Sequence, residues 1–265
     1  MTAVFGSIGR VTLNGLYAWS LVCVLMVDTM NWAFLQPLRG RGLRVRSTVE
    51  HFVEFGVRSL PIVGAICFLV GVIMALQAAH TLQQWGATKY IANLVGISAL
   101  RELAPLMAAI LITGRCGASI AAEIGTMKVA EEIDALTVMG LNPTKFLIVP
   151  KFLAMILAVP AVTVIAMFIM ILGGHVTAVY IIDVPPQIYI EQTASTLEMK
   201  DLVSGLVKSL FFALVICWVG VYRGFQVEGG AEGVGRQTTA SVVTAITLII
   251  VVDMVWTILF YYGKA

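Results

Sequence analysis

The chain has 265 residues, of which 59% are hydrophobic and only 12% charged, whereas an ordinary soluble globule carries about 25% charged residues. That composition excludes a soluble globule and leaves a polytopic membrane protein. The formal net charge of +2 decides little, because the sidedness of Lys and Arg matters more than their sum.

Val11 to Leu35 is apolar but interrupted by Asn14, Asp28 and Asn31. By length alone it could cross a bilayer of about 30 Å. Tyr17, Trp19 and Trp32 suit a headgroup-level position instead. The run lacks a small-residue cleavage site, so no cleavable signal peptide is expected. Arg39, Arg41, Arg44 and Arg46 follow with Gly40 and Gly42 between them, a basic turn beside the membrane rather than a nucleic-acid contact. Leu60 to Ala79 reads as the first span, with Gly64, Gly71, Ala75 and Ala79 as small packing positions. His80, Gln83, Gln84 and Trp85 mark its outer end.

The second span carries Arg101 and Glu102, and intramembrane charges are functional candidates by default. Pro105 lies four residues after Arg101, so the Arg101 carbonyl loses its helical N–H partner. Further on, Gly114, Ala118 and Ala122, and beside them Gly117, Ala121 and Gly125, give two small-residue strips for close helix approach. Val129 to Met139 places Ile133, Leu136 and Met139 or Val138 at helical spacing, with Glu131, Glu132 and Asp134 elsewhere around the turn, which predicts a short amphipathic docking helix. Gly140 and then Asn142-Pro143 end it.

Phe146 to Ile182 is apolar for 37 residues, about 55 Å as one helix. Pro150 and Pro160 permit kinks and Gly173-Gly174 a break, and the reading is one long bent helix. Asp183 to Asp201 reads as an external loop, Leu202 to Tyr222 as the next span, and Thr238 to Tyr262 as the last. The Gly-rich stretch between these spans reads as a flexible turn. This assignment puts 12 of the 17 Lys and Arg on the inner side, which supports five spans with the docking helix in the cytoplasm.

Several chemistries are missing. No GxxxxGK[ST] or GxSxG occurs, and His51, His80 and His175 lack HExxH spacing. Cys23, Cys67, Cys116 and Cys217 are isolated in apolar stretches and read as small apolar fillers. The sequence therefore contains no catalytic constellation, no metal site and no ATPase.

The run RELAPLMAAILITGRCGASIAAEIGTMKVAEEIDALTVMGLNP resembles the MlaE (YrbE-type) permease family of bacterial ABC lipid transporters. The GTMK at Gly125 to Lys128, EIDAL at Glu132 to Leu136 and MGLNP at Met139 to Pro143 carry the likeness, behind Gly114-Arg115. It extends over roughly Glu50 to the C-terminus. The resemblance implies an all-α polytopic membrane protein with an ABC exporter-like permease architecture. Its parts would be an N-terminal interfacial or elbow helix with its basic turn (1–47), about five transmembrane helices and a cytoplasmic coupling helix (129–140), in one permease domain spanning 1–265. The implied function is that of the permease subunit of a phospholipid transport complex in the bacterial inner membrane, which maintains outer-membrane lipid asymmetry. It implies a homodimer, two ATP-binding cassette subunits that hold the ATP and Mg, a hexameric periplasmic MCE-domain protein and a small STAS-domain protein. This chain would carry no cofactor and bind no nucleic acid.

Two other classes remain beside this one, an ion-coupled secondary transporter and an intramembrane lipid enzyme. The first is disfavoured because the chain lacks paired broken helices in two related halves, and the second because it lacks a catalytic constellation. In the lipid-transport reading, Met74, Leu76, Leu82, Trp85 and Leu103 wall a cavity for acyl tails, and Arg101 supplies the charge for an anionic headgroup, with Glu102 beside it. Glu131, Glu132, Ile133, Asp134, Leu136, Met139 and Gly140 form the contact with the ATPase.

Overall fold

The computed structural model describes residues 24–35 and 44–262. Most of the expected interfacial helix and the arginines at 39 and 41 lie outside the described residues. Residues 24–35 are helical and end in a wide π turn at Asn31–Leu35. Ala33 and Thr29 are buried there, and the Trp32 ring sits 5.3 Å from the Lys145 ammonium.

Helix α1 (Val45–Phe55) is amphipathic in an unusual sense. It exposes the stripe Val45, Val49 and Val53 and turns Phe55 inward, as a helix does when one apolar stripe meets lipid at an interface. A short 3-10 turn, Val57–Ser59, leads into α2 (Leu60–Gln83). Helix α3 runs continuously over Ile91–Val129 and α4 is the short Glu132–Val138. Helix α5 covers Thr144–Tyr180, α6 Pro186–Thr196, α7 Met199–Phe225 and α8 Gly230–Tyr262. Five of these segments are long and apolar enough to cross a membrane, the first being α1 and α2 together. Successive spans alternate in direction, so α4 and the α7–α8 connection share one end of the bundle, and α6 lies at the other.

Two interruptions follow from proline. Pro105 has no N–H for the Arg101 carbonyl, and its ring would collide with that carbonyl in a regular helix. The chain widens at Ala99–Leu103 into a π turn in which the Ala104 N–H reaches the Ala99 carbonyl five residues back. Helix α5 opens the same way at Thr144–Ile148, just before Pro150.

The stretch read as an external loop instead contains α6. Pro185 and Pro186 stand at its N-cap and first position, where a missing N–H costs nothing, and Tyr189 is driven inward to 2% exposure against the edge of His175. Burial raises the Tyr189 phenol to about 12.

Gly173 and Gly174 do not break α5, which passes through them unbroken. Their function is close approach: a Cβ on Gly173 would stand 2.3 Å from the Phe68 carbonyl of α2, and one on Gly71 2.0 Å from that of Met170. The core is built around α5, with Phe152, Met155, Met167 and Met170 against Ile112, Phe212 and Ile216. Cys67, Cys116 and Cys217 are buried and unbridged. Because both partners at the α2–α5 crossing are backbone, Gly173→Val cannot be absorbed by a side-chain rotation. It is expected to cost about 1–3 kcal/mol of stability. The measurement is thermal unfolding in detergent, and an unchanged midpoint would mean that the two helices are free to separate.

Candidate functional site

The half of the bundle away from α4 holds a cluster of charges that joins α3, α7 and α8. At its first pair, the Arg101 guanidinium donates from Nε to Asp201 Oδ1 at 2.6 Å, with Nη2 in ionic contact with the same oxygen at 2.5 Å. Asp201 is 2% exposed, and its other oxygen accepts the Glu198 backbone N–H at 3.1 Å. One carboxylate thus completes the capping box of α7 and anchors Arg101. The second group centres on Lys208, 1% exposed. Its ammonium donates to Glu102 Oε2 at 2.5 Å and to Thr257 Oγ1 at 2.8 Å. It also lies 2.9 Å from Asp253 Oδ1, an ionic contact outside hydrogen-bond alignment.

Pairing of this kind is what a low-dielectric interior demands, since a lone buried charge is far costlier than a paired one. The cluster has two cations against three carboxylates. It floors a cleft of about 420 Å³ whose mouth also carries Lys200. Arg101 and Glu102 each keep 37% of their side-chain surface exposed, so both a guanidinium edge and a carboxylate face the cleft.

The apolar residues expected to wall one cavity are distributed. Met74 and Leu82 line a separate groove of about 220 Å³, with Gln77, Thr81, Leu94 and Ser98. Leu76 is 41% exposed and Trp85 79%. Leu103 packs against the core. Within a single chain these five residues do not meet around Arg101.

Sequence reasoning missed Asp201, Lys208, Asp253 and Thr257. Lys208 and Asp253 were visible as charges inside apolar spans, the criterion that singled out Arg101 and Glu102.

Helix α4 is held at both ends by left-handed residues, Glu131 with φ 57° and Gly140 with φ 75°. Its C-terminus is a Schellman turn: the Leu141 N–H donates to the Leu136 carbonyl and the Gly140 N–H to that of Thr137. Ile133 and Leu136, each 8% exposed, point into the chain's own bundle. The open surface of α4 and its flanks is formed by Glu131, Glu132, Asp134, Val138 and Met139, with Val138 88% and Met139 64% exposed.

Among the described residues, an all-helical bundle with five helices long and apolar enough to cross a membrane, and charges paired across them, has the make-up of a multi-pass membrane protein. Residues 48–259 match the family described as Permease MlaE. A probable ABC transporter permease protein of Rickettsia prowazekii is 37% identical over 80% of this chain and 82% of its own length. One from Synechocystis is 34% identical over 96% of both chains. The chloroplastic protein TRIGALACTOSYLDIACYLGLYCEROL 1 of Arabidopsis thaliana is 29% identical over 86% of this chain and 65% of its own. The chain belongs to the MlaE permease family and is a membrane permease of an ABC system.

Proposed function

We propose that this permease moves phospholipid between the bacterial inner membrane and a periplasmic MCE-domain protein, in a complex that maintains outer-membrane lipid asymmetry. The observation that carries the reading is the cleft at the outer end of α3, α7 and α8, a charged floor set in an apolar bundle. An amphiphile is the ligand such a surface suits. Its phosphate would meet the outward edge of Arg101, whose planar fork has five donors, more than Asp201 uses. Glu102 would meet an ammonium, so a zwitterionic headgroup fits as well as an anionic one. The tails would lie along apolar surface, where each buried methylene contributes about 0.8 kcal/mol. The relative from Arabidopsis thaliana is named for a glycerolipid, which supports a lipid cargo.

The working complex would be a homodimer bound to two ATP-binding cassette subunits carrying ATP and Mg, with the MCE protein as a periplasmic hexamer and a STAS-domain protein on the ATPase. Dimerisation would bring the Met74–Leu82 groove and exposed Leu76 and Trp85 toward a shared cavity. ATP-driven closure would push on the open face of α4 and change the shape of that cavity by rigid-body motion of the spans.

Photocrosslinking tests the site. A photoreactive residue at position 82, 85 or 101 is expected to capture labelled phospholipid in the purified complex. Capture only from lipid-facing positions of α8, such as Ile250 and Met254, would move the site elsewhere.

A further inference from the structure

We propose that Lys151, Glu123 and His51 form a clasp that transmits the motion of α4 into the bundle, making them positioning residues for ATP-driven transport. The proposal rests on reading α4 as the ATPase contact. Lys151 is 1% exposed and stands near the start of α5. Its ammonium donates to Glu123 Oε1 of α3 at 2.6 Å and meets His51 Nε2 of α1 at 3.2 Å. For Nε2 to accept, the imidazole is neutral with its proton on Nδ1, the nitrogen facing Glu54 Oε2 at 3.5 Å. One buried cation therefore ties together three helices.

Its position gives the trio its meaning. Helix α3 leads into α4 and α5 leads out of it. Glu123 lies six residues before Val129, and Lys151 seven after Thr144, so the bridge joins the two helices about 10 Å from the α4 end of each. A push on α4 can do one of two things. It can pry α3 from α5 and be lost as local bending, or it can move both as one body. An ion pair between the two helices opposes the first, because separating them would strand a buried ammonium.

Stability alone does not call for a charge here. The neighbouring residues Phe152, Phe55 and Met155 are buried and apolar, and a well-packed apolar residue of similar volume often replaces a buried pair without loss. What an ion pair adds is a fixed register between two helices. The amphipathic α1 is included through His51, so it would move with the pair.

The test compares ATP hydrolysis with transfer of a fluorescent phospholipid, using the complete complex in vesicles of phosphatidylethanolamine and phosphatidylglycerol. Glu123→Gln and Lys151→Met are expected to keep the ATPase bound and its hydrolysis within about twofold while transfer per ATP falls about tenfold, a typical coupling between sites. Lys151→Arg is expected to retain transfer, and the exchange Lys151→Glu with Glu123→Lys to recover most of it. If Lys151→Met fails to fold, Glu123→Gln decides, since Glu123 is 45% exposed and its amide is isosteric. Three results overturn the proposal: hydrolysis and transfer falling together, transfer unchanged, or loss of the ATPase from the Glu123→Gln complex. Attachment of the ATPase to a Val138→Asp variant would instead overturn the reading of α4, which is a separate result.

Discussion

Lys208→Met is expected to abolish phospholipid transfer and to lower stability by about 3 kcal/mol, the lower end of what breaking a buried ion pair costs. The lower end applies because Glu102 keeps 37% of its side chain exposed and water can reach it, whereas Asp253 is only 16% exposed. Stability and function can be separated by a second substitution. In Lys208→Met/Asp253→Leu no buried carboxylate at position 253 remains without its cation, so the unfolding midpoint should recover. Transfer should not recover, because Glu102 at the cleft floor would have lost the Lys208 ammonium that holds it. If the double variant transports lipid, the cluster is a packing device and the cargo binds elsewhere.

The second large effect concerns the ATPase. Sequence spacing singled out Ile133, Leu136 and Met139 or Val138 as its apolar contacts; Ile133 and Leu136 are turned into the bundle, while Val138 and Met139 are exposed. An exposed apolar pair beside Glu131, Glu132 and Asp134 has the composition of an interface centre with a charged rim. Val138→Asp/Met139→Asp is expected to weaken attachment by at least about thirtyfold, the effect of losing one strong anchor. Co-purification of the ATPase subunit reads this directly. A variant that retains a full complement of ATPase would place the contact outside α4.

The five spans and the position of α4 were legible because both depend on local pattern: length of apolar run, helical spacing, and the Gly and Pro that end it. The long α5 was legible because Phe146 to Ile182 contains no turn sequence. Three things were not. Helix α6 was hidden because a polar, proline-punctuated stretch looks like a loop until Tyr189 finds its buried seat beside His175. The direction of Ile133 and Leu136 was hidden because an amphipathic pattern says that one face is buried without saying against what. The partners of Arg101 and Glu102 were hidden because ion pairs about 100 residues apart in sequence depend on which helices become neighbours, and periodicity within one helix carries no such information.

The charge cluster also constrains how the protein is made. A single Asp, Lys or Arg at the centre of a helix opposes its entry into the bilayer from the translocon by about 2.5–3.5 kcal/mol. Arg101 and Glu102 arrive with α3, Asp201 and Lys208 with α7, and Asp253 last, with α8. Until α7 has been synthesised, α3 has no counter-ions for its two charges, and until α8 follows, the Lys208 ammonium lacks its contacts with Asp253 and Thr257. The final helix is therefore the one that closes the electrostatic circuit. A nascent chain stopped before Asp253 would hold the Lys208 ammonium by Glu102 alone.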